Sequence, residues 1–143
     1  MTQRPTTGSR LDGLLGYHLR RAQLRAFAAF AREVDGLSPM LFGVLATIEA
    51  QPGIGQGEIA DALGADRSTM VRLVDQLERR GLVRRESRPD DRRTVIPTLT
   101  PDGRAALAAA TPQVLASEEL FAADLSPEER RVLAALLQRI SAG

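Results

Sequence analysis

The sequence predicts a mainly α-helical chain carrying one small β-hairpin, an α+β arrangement. Apolar residues recur at three- and four-residue spacings over most of its 143 residues, the period of a helix with one buried face. Glycine and proline punctuation at Gly36, Pro39, Pro52, Gly53, Gly64, Gly81 and Pro101 cuts this pattern into helix-length pieces. Only residues 82–99 read as strand.

The elements follow in order. Residues 1–10 (MTQRPTTGSR) are Thr, Gly, Pro and Ser rich and read as a mobile arm. A first helix is expected over about 10–34, with Leu11, Leu14, Leu15, Leu19, Ala22, Ala26 and Phe30 along one stripe, and Gly36 ends it. Ser38 as N-cap and Pro39 in the first turn open a second helix, whose Leu41, Val44, Leu45 and Ile48 form one stripe. Two short helices follow at 56–63 and 66–80, with Gly64 where a left-handed residue is wanted. Helices joined by so few residues make a helix-turn-helix. Residues 82–87 and 93–99 read as two strands joined by the polar turn 88–92, a hairpin that forms a wing. An alanine-rich helix starts at the cap Thr100-Pro101-Asp102, and Pro112 is expected to kink or break it by removing a hydrogen bond. Ser126-Pro127-Glu128-Glu129 is a capping box opening the last helix, which carries Val132, Leu133, Leu136, Leu137 and Ile140 on one face.

The architecture expected is a winged helix-turn-helix flanked by N- and C-terminal dimerisation helices. It is expected to form a single domain over 1–143, with the dimerisation helices at 10–35 and 100–141 and the winged helix-turn-helix lobe at 37–99. A chain this short cannot bury the first and last helices' apolar faces around one small winged-helix core, so a homodimer is expected.

Composition removes several function classes. There is no cysteine, which excludes disulfides, thiolate zinc sites and thiol redox sensing, and the lone histidine, His18, excludes a multi-histidine metal site. No glycine-rich phosphate loop is present, and the carboxylates sit beside arginines at helical spacing, so an enzyme is not expected and no cofactor is implied. The polar opening has no signal-peptide pattern and no stretch is apolar enough to span a bilayer, so a cytoplasmic, nucleoid-associated protein is expected, with no membrane partner.

Net charge is only +1, but it is segregated. Between Arg67 and Arg93 nine arginines face Asp75, Glu78, Glu86, Asp90 and Asp91, a local balance of +4. All 19 basic residues are arginine. Genome composition is the simpler reason, although planar forks also suit guanine and phosphate.

On a helical wheel, residues 66–80 place Met70, Leu73, Val74 and Leu77 on one side and Ser68, Arg72, Asp75 and Arg79 on the other. Such a helix suits the major groove, where arginine pairs with the two acceptors of guanine. Arg67, Ser68 and Thr69 lie at the end that enters first. The plainer reading is a solvated face with an Asp75–Arg79 pair. Five arginines crowded on the wing (Arg84, Arg85, Arg88, Arg92, Arg93) favour nucleic acid, because a narrow minor groove attracts such side chains.

The run GEIADALGADRSTMVRLVDQLERRGLVRR, followed by PDDRRTVIPTLTPDG, resembles the MarR family of winged-helix regulators. The family's wing signature, Asp-x-Arg, five residues, then Leu-Thr, is met by Asp91, Arg93, Leu99 and Thr100. The resemblance is strong over about 37–103 and implies that Asp91 braces the wing while Arg93, with Arg92, enters the minor groove. It also implies double-stranded DNA with a near-palindromic operator as partner, and repression relieved by a small effector, an aromatic or phenolic acid or its thioester. Candidate effector residues are Tyr17, His18, Arg21, Arg25, Met40 and Phe42; the plainer reading of His18 and Arg25 is core or dimer-interface packing. In two places the chain departs from the family. Gly55 replaces the usual Thr or Ser cap, and Pro97 in the second wing strand must face an unpaired edge. The competing class is a helical protein-interaction module that keeps the winged helix without binding DNA.

Overall fold

The computed structural model describes residues 10–143, so the arm expected over 1–10 lies outside the described residues apart from Arg10. Six helices and one hairpin follow in the order α1 (Leu15–Glu33), α2 (Pro39–Ala50), α3 (Gln56–Leu63), α4 (Arg67–Arg79), β1 (Val83–Arg88), β2 (Asp91–Leu99), α5 (Pro101–Phe121) and α6 (Pro127–Ser141).

Side-chain oxygens that satisfy free backbone amides set most helix starts. Ser38 Oγ accepts from Leu41 N at 3.2 Å, Asp66 Oδ1 from Thr69 N at 2.7 Å, and Thr100 Oγ1 from Gly103 N at 3.0 Å. At α6 the box closes both ways: Glu129 N donates to Ser126 Oγ at 3.1 Å and Ser126 N donates to Glu129 Oε1 at 2.9 Å. Gly64 ends α3 at φ +65°, a left-handed conformation that a side chain would strain.

These bonds also lower carboxylate pKa values. The Thr69 N–H, assisted by the Thr69 and Ser68 hydroxyls, holds Asp66 below the usual aspartate range, and the Ser126 N–H does the same for Glu129. A folded-state pKa below the unfolded one contributes stability that is present above the unfolded value and lost as pH falls through the folded one. Thermal unfolding should therefore show no loss from these caps above about pH 5 and a growing loss below about pH 4. Asparagine caps nearly as well but does not titrate. Asp66→Asn should accordingly lose less melting temperature than wild type between those pH values, and an identical acid dependence would count against the cap.

The structure corrects the sequence reading in three places. Helix α1 starts at Leu15 rather than near residue 10, because Leu14 has no capping oxygen and residues 10–13 close a turn with Leu14 N donating to Leu11 O at 2.9 Å. The expected five-residue wing turn shrinks to Pro89 and Asp90, with Arg88 and residues 91–93 in the strands. Helix α5 runs unbroken through Pro112. The ring removes one hydrogen bond, but the carbonyl it orphans belongs to the exposed residue Ala108, while Leu107 and Ala110 pin the helix to the core.

The core lies where α2, α3, α4, the hairpin and the first half of α5 meet. Val44, Leu45, Ile59, Met70, Val74, Leu77, Val83 and Pro97 are all fully buried there. Pro97 sits in β2, which among the described residues pairs with β1 alone, so its other edge needs no donor from the ring nitrogen. Outside this lobe the apolar faces are bare. The α1 stripe reaches the core only at Phe30, Leu15 stays 73% exposed, and no residue of α6 is buried. No helix among the described residues is long and apolar enough to cross a membrane.

Candidate nucleic-acid interface

Helix α4 buries Met70, Leu73, Val74 and Leu77 and turns Arg67, Ser68, Val71, Arg72 and Arg79 outward. Its start is held by Asp66, whose Oδ1 also accepts from Ser68 Oγ at 2.9 Å. Its far end is tied down by Arg80, which donates from Nη1 to Gly36 O at 2.7 Å. Neither Arg72 nor Arg79 makes a protein hydrogen bond or ion pair among the described residues. The Asp75–Arg79 pair of the plainer reading is not formed, because Asp75 is taken by Arg85 at 2.6 Å.

Arg85 is the joint between recognition helix and wing, and the sequence reading had merely grouped it with the wing arginines. Its Nη1 also meets Glu78 Oε1 at 3.1 Å, Nη2 donates to Val71 O at 3.1 Å, and its backbone N donates to Glu78 Oε2 at 3.1 Å. Strand alternation was the available signal, since residue 85 shares a face with the buried Val83. A cation there must be paired rather than free.

The wing tip is irregular. Ser87 pairs with Val95 but Arg88 pairs with Asp91, so residues 92–94 bulge from β2. Asp91 stitches this bulge: its Oδ1 accepts from Arg93 N at 3.0 Å and its Oδ2 from Thr94 Oγ1 at 2.9 Å. The Thr94 hydroxyl, then the Arg93 N–H, hold its pKa below the usual aspartate range. The bulge leaves the side chains of Arg92 and Arg93 exposed and without a protein partner among the described residues. Arg88 turns back, reaching Glu58 Oε1 at 3.4 Å and Gly53 O at 3.5 Å.

Arg67, Arg88 and Arg93 line one cleft of ≈ 290 Å³ between the start of α3 and the wing. Gly55 and Gly57 form part of its wall. A Cβ on Gly57 would come within 2.6 Å of Arg67 Nη1, and one on Gly55 within 3.1 Å of Thr94 Cγ2. The missing cap at Gly55 is thus linked to close approach of the wing, and α3 starts without a side-chain cap.

Among the described residues the effector candidates lie on different parts of α1 and α2. His18 lines an apolar cleft of ≈ 670 Å³ between α1 and α6, with Leu15, Leu19, Phe121 and Leu136 among its walls. Its Nε2 lies 2.7 Å from Asp12 O. Tyr17 packs edge-on to His18, and Arg21 lies over the Tyr17 ring with its carbon 5.7 Å from the centroid. Arg25 is exposed on α1, while Met40 and Phe42 pack against the core from α2.

The sequence pattern defining the MarR family matches residues 37–95, the span from α2 to the wing. A putative transcriptional regulatory protein for the hcr operon of Thauera aromatica is 43% identical over 133 residues, covering 91% of this chain and 80% of that protein. The chain belongs to the MarR family of transcriptional regulators. Three solved structures of two MarR-type regulators are similar over nearly their whole length. The repressor CouR, bound to a 23-mer DNA duplex, shares 41% identity at a TM-score of 0.89, covering 97% of this chain and 99% of that one. CouR has also been solved with p-coumaroyl-CoA, at 40% identity and a TM-score of 0.84 over 93% of this chain and 95% of that one. Bordetella bronchiseptica BpsR, whose DNA binding is regulated by 6-hydroxynicotinic acid, shares 29% identity at a TM-score of 0.88, covering 94% of this chain and 98% of that one.

Proposed function

We propose that this MarR protein is a homodimeric repressor that reads a near-palindromic operator and leaves it when a small aromatic acid or its thioester binds. The observation that carries the proposal is the pair of unpartnered arginine sets, Arg72 and Arg79 on α4 and Arg92 and Arg93 on the wing, held in fixed relation by Arg85. In this reading Arg67, Ser68 and Thr69 lead α4 into the major groove. Arg88 and Asp91 set the wing, and Arg92 and Arg93 enter the minor groove. Residues 37–99 form the reading lobe, while 10–35 and 100–141 join the second copy, covering the faces left bare on α1, α5 and α6. Tyr17, His18, Arg21, Arg25, Met40 and Phe42 are the proposed effector residues. The aromatic chemistry is supported by the ligands named for CouR and BpsR.

The test is a mobility shift with the duplex upstream of the chain's own coding region. Two chains per duplex are expected, with release by p-coumaroyl-CoA or a phenolic acid. Arg72→Ala should weaken binding about 5- to 150-fold and relax preference at one position of each half-site. A loss uniform across operator variants would make Arg72 a phosphate contact. A protein that shifts no duplex, or binds as one chain per site, overturns the proposal.

A further inference from the structure

We infer that Val71 is a specificity contact to the methyl group of a thymine in each operator half-site, an inference that rests on the DNA-binding reading above. Val71 is 44% exposed, and every other exposed large apolar residue among the described ones lies either within 11–27 or within 115–140. Those two stretches carry the bare apolar faces of α1, α5 and α6. Val71 therefore stands alone on the reading lobe, on a helix whose other outward side chains are polar or charged. A single valine is far too small a patch to hold a protein partner.

Its position is fixed on three counts. At about 100° per residue it sits one turn beyond Arg67, between the Ser68–Arg72 stripe and the wing. Arg85 donates to its carbonyl oxygen at 3.1 Å and grips Asp75 and Glu78 on the following turn, so this stretch of α4 cannot shift relative to β1. A β-branched side chain in a helix is confined almost to one rotamer, so its methyls point in a set direction. Along the major-groove edge of a base pair the thymine C5 methyl is the apolar feature, and contact with it distinguishes A·T from the other pairs. A rigid apolar side chain flanked by serine and arginine is matched to such a site.

The experiment uses the full-length dimer and a duplex enriched by it from a randomised pool. Each thymine in turn, in both half-sites, is replaced by deoxyuridine, which deletes the methyl and nothing else. Binding is followed by fluorescence anisotropy. One symmetric position should lose about three- to fourfold affinity per half-site, as expected for burial of one methyl group. Val71→Ala, with melting temperature near wild type because the side chain is exposed, should bind the thymine and uracil duplexes equally at that position. The inference is overturned if no thymine methyl matters to the wild type, or if Val71→Ala keeps the full methyl preference. Failure to enrich any duplex overturns the DNA-binding reading itself, so the two failures are distinct.

Discussion

Gly103→Ala is expected to destabilise the folded protein by about 2–4 kcal/mol, although it exchanges glycine for the best helix former. Gly103 lies in the first turn of α5, pressed against the end of the α4–β1 connection, and an added Cβ would fall inside the van der Waals shell of the Leu82 carbonyl oxygen. Nothing flexible can give way, because the obstacle is backbone. Helix α5 would have to lift, stretching the bonds from Thr100 N to Leu82 O at 3.1 Å and from Thr100 Oγ1 to Gly81 O at 2.6 Å. Overpacking costs about 1–3 kcal/mol and each severed bond about 1 kcal/mol, against a helix-propensity gain of about 1 kcal/mol. The clash should win. Gly43→Ala is the control, since a Cβ there meets Leu63 Cδ2 at 3.4 Å, an ordinary contact, so the propensity gain should leave that variant as stable as wild type or more so. Urea midpoints at equal chain concentration check both. A Gly103→Ala midpoint at or above wild type would show that α5 and Leu82 are not packed this closely.

Such close approaches are invisible to periodicity, which reports a residue's own face and not what meets it. The stripes of α2 and α4 were legible because their partners lie within the same lobe, and Met70 and Val44 are indeed fully buried. The stripes of α1 and α6 were equally legible as patterns, yet Leu15 and Ile140 remain exposed, since a pattern cannot say whether its partner is the same chain or another. The break that Pro112 was expected to cause is absent for a related reason. A proline's cost depends on whether the orphaned carbonyl can reach water, and that is set by tertiary exposure.

The interface was legible by residue type and only partly by role. Counting arginines between 67 and 93 located the basic surface, but a count cannot separate a cation that is spent on structure from one that is available. Arg85 is bound by Asp75 and Glu78, Arg80 by Gly36 O, Arg88 by Glu58 and, more loosely, Arg84 by Glu86, leaving Arg67, Arg72, Arg79, Arg92 and Arg93 outward. Val71 went unnoticed because an isolated valine on a wheel reads as an edge of the buried face. The bulge at 92–94, which turns the wing arginines outward, follows from Asp91 bonding ahead to Arg93 N and Thr94 Oγ1, a local bond with no hydrophobic signature.

The wing then supplies the sharpest functional test, because charge and geometry predict opposite signs. Arg93→Ala in a symmetric dimer removes two positive charges from the DNA at once. At about 1.5 kcal/mol per charge-assisted hydrogen bond the loss is about 3 kcal/mol, roughly 150-fold in affinity. The slope of log affinity against log salt should flatten by up to about two units, since a phosphate that no arginine neutralises keeps its counterion. Arg93→Lys should recover only part of the affinity, because an ammonium is more strongly hydrated and is less readily drawn into a narrow groove. Asp91→Ala deletes a negative charge beside the DNA, so electrostatics alone predicts tighter binding. The brace predicts the reverse: without bonds to Arg93 N and Thr94 Oγ1 the bulge loosens, Arg93 must be ordered on binding, and affinity falls. The salt slope should stay near wild type, because the arginines are all still present. Anisotropy titrations from low to moderate salt separate the cases. An Asp91→Ala protein that keeps its fold yet binds more tightly than wild type would mean that its charge outweighs its bonds.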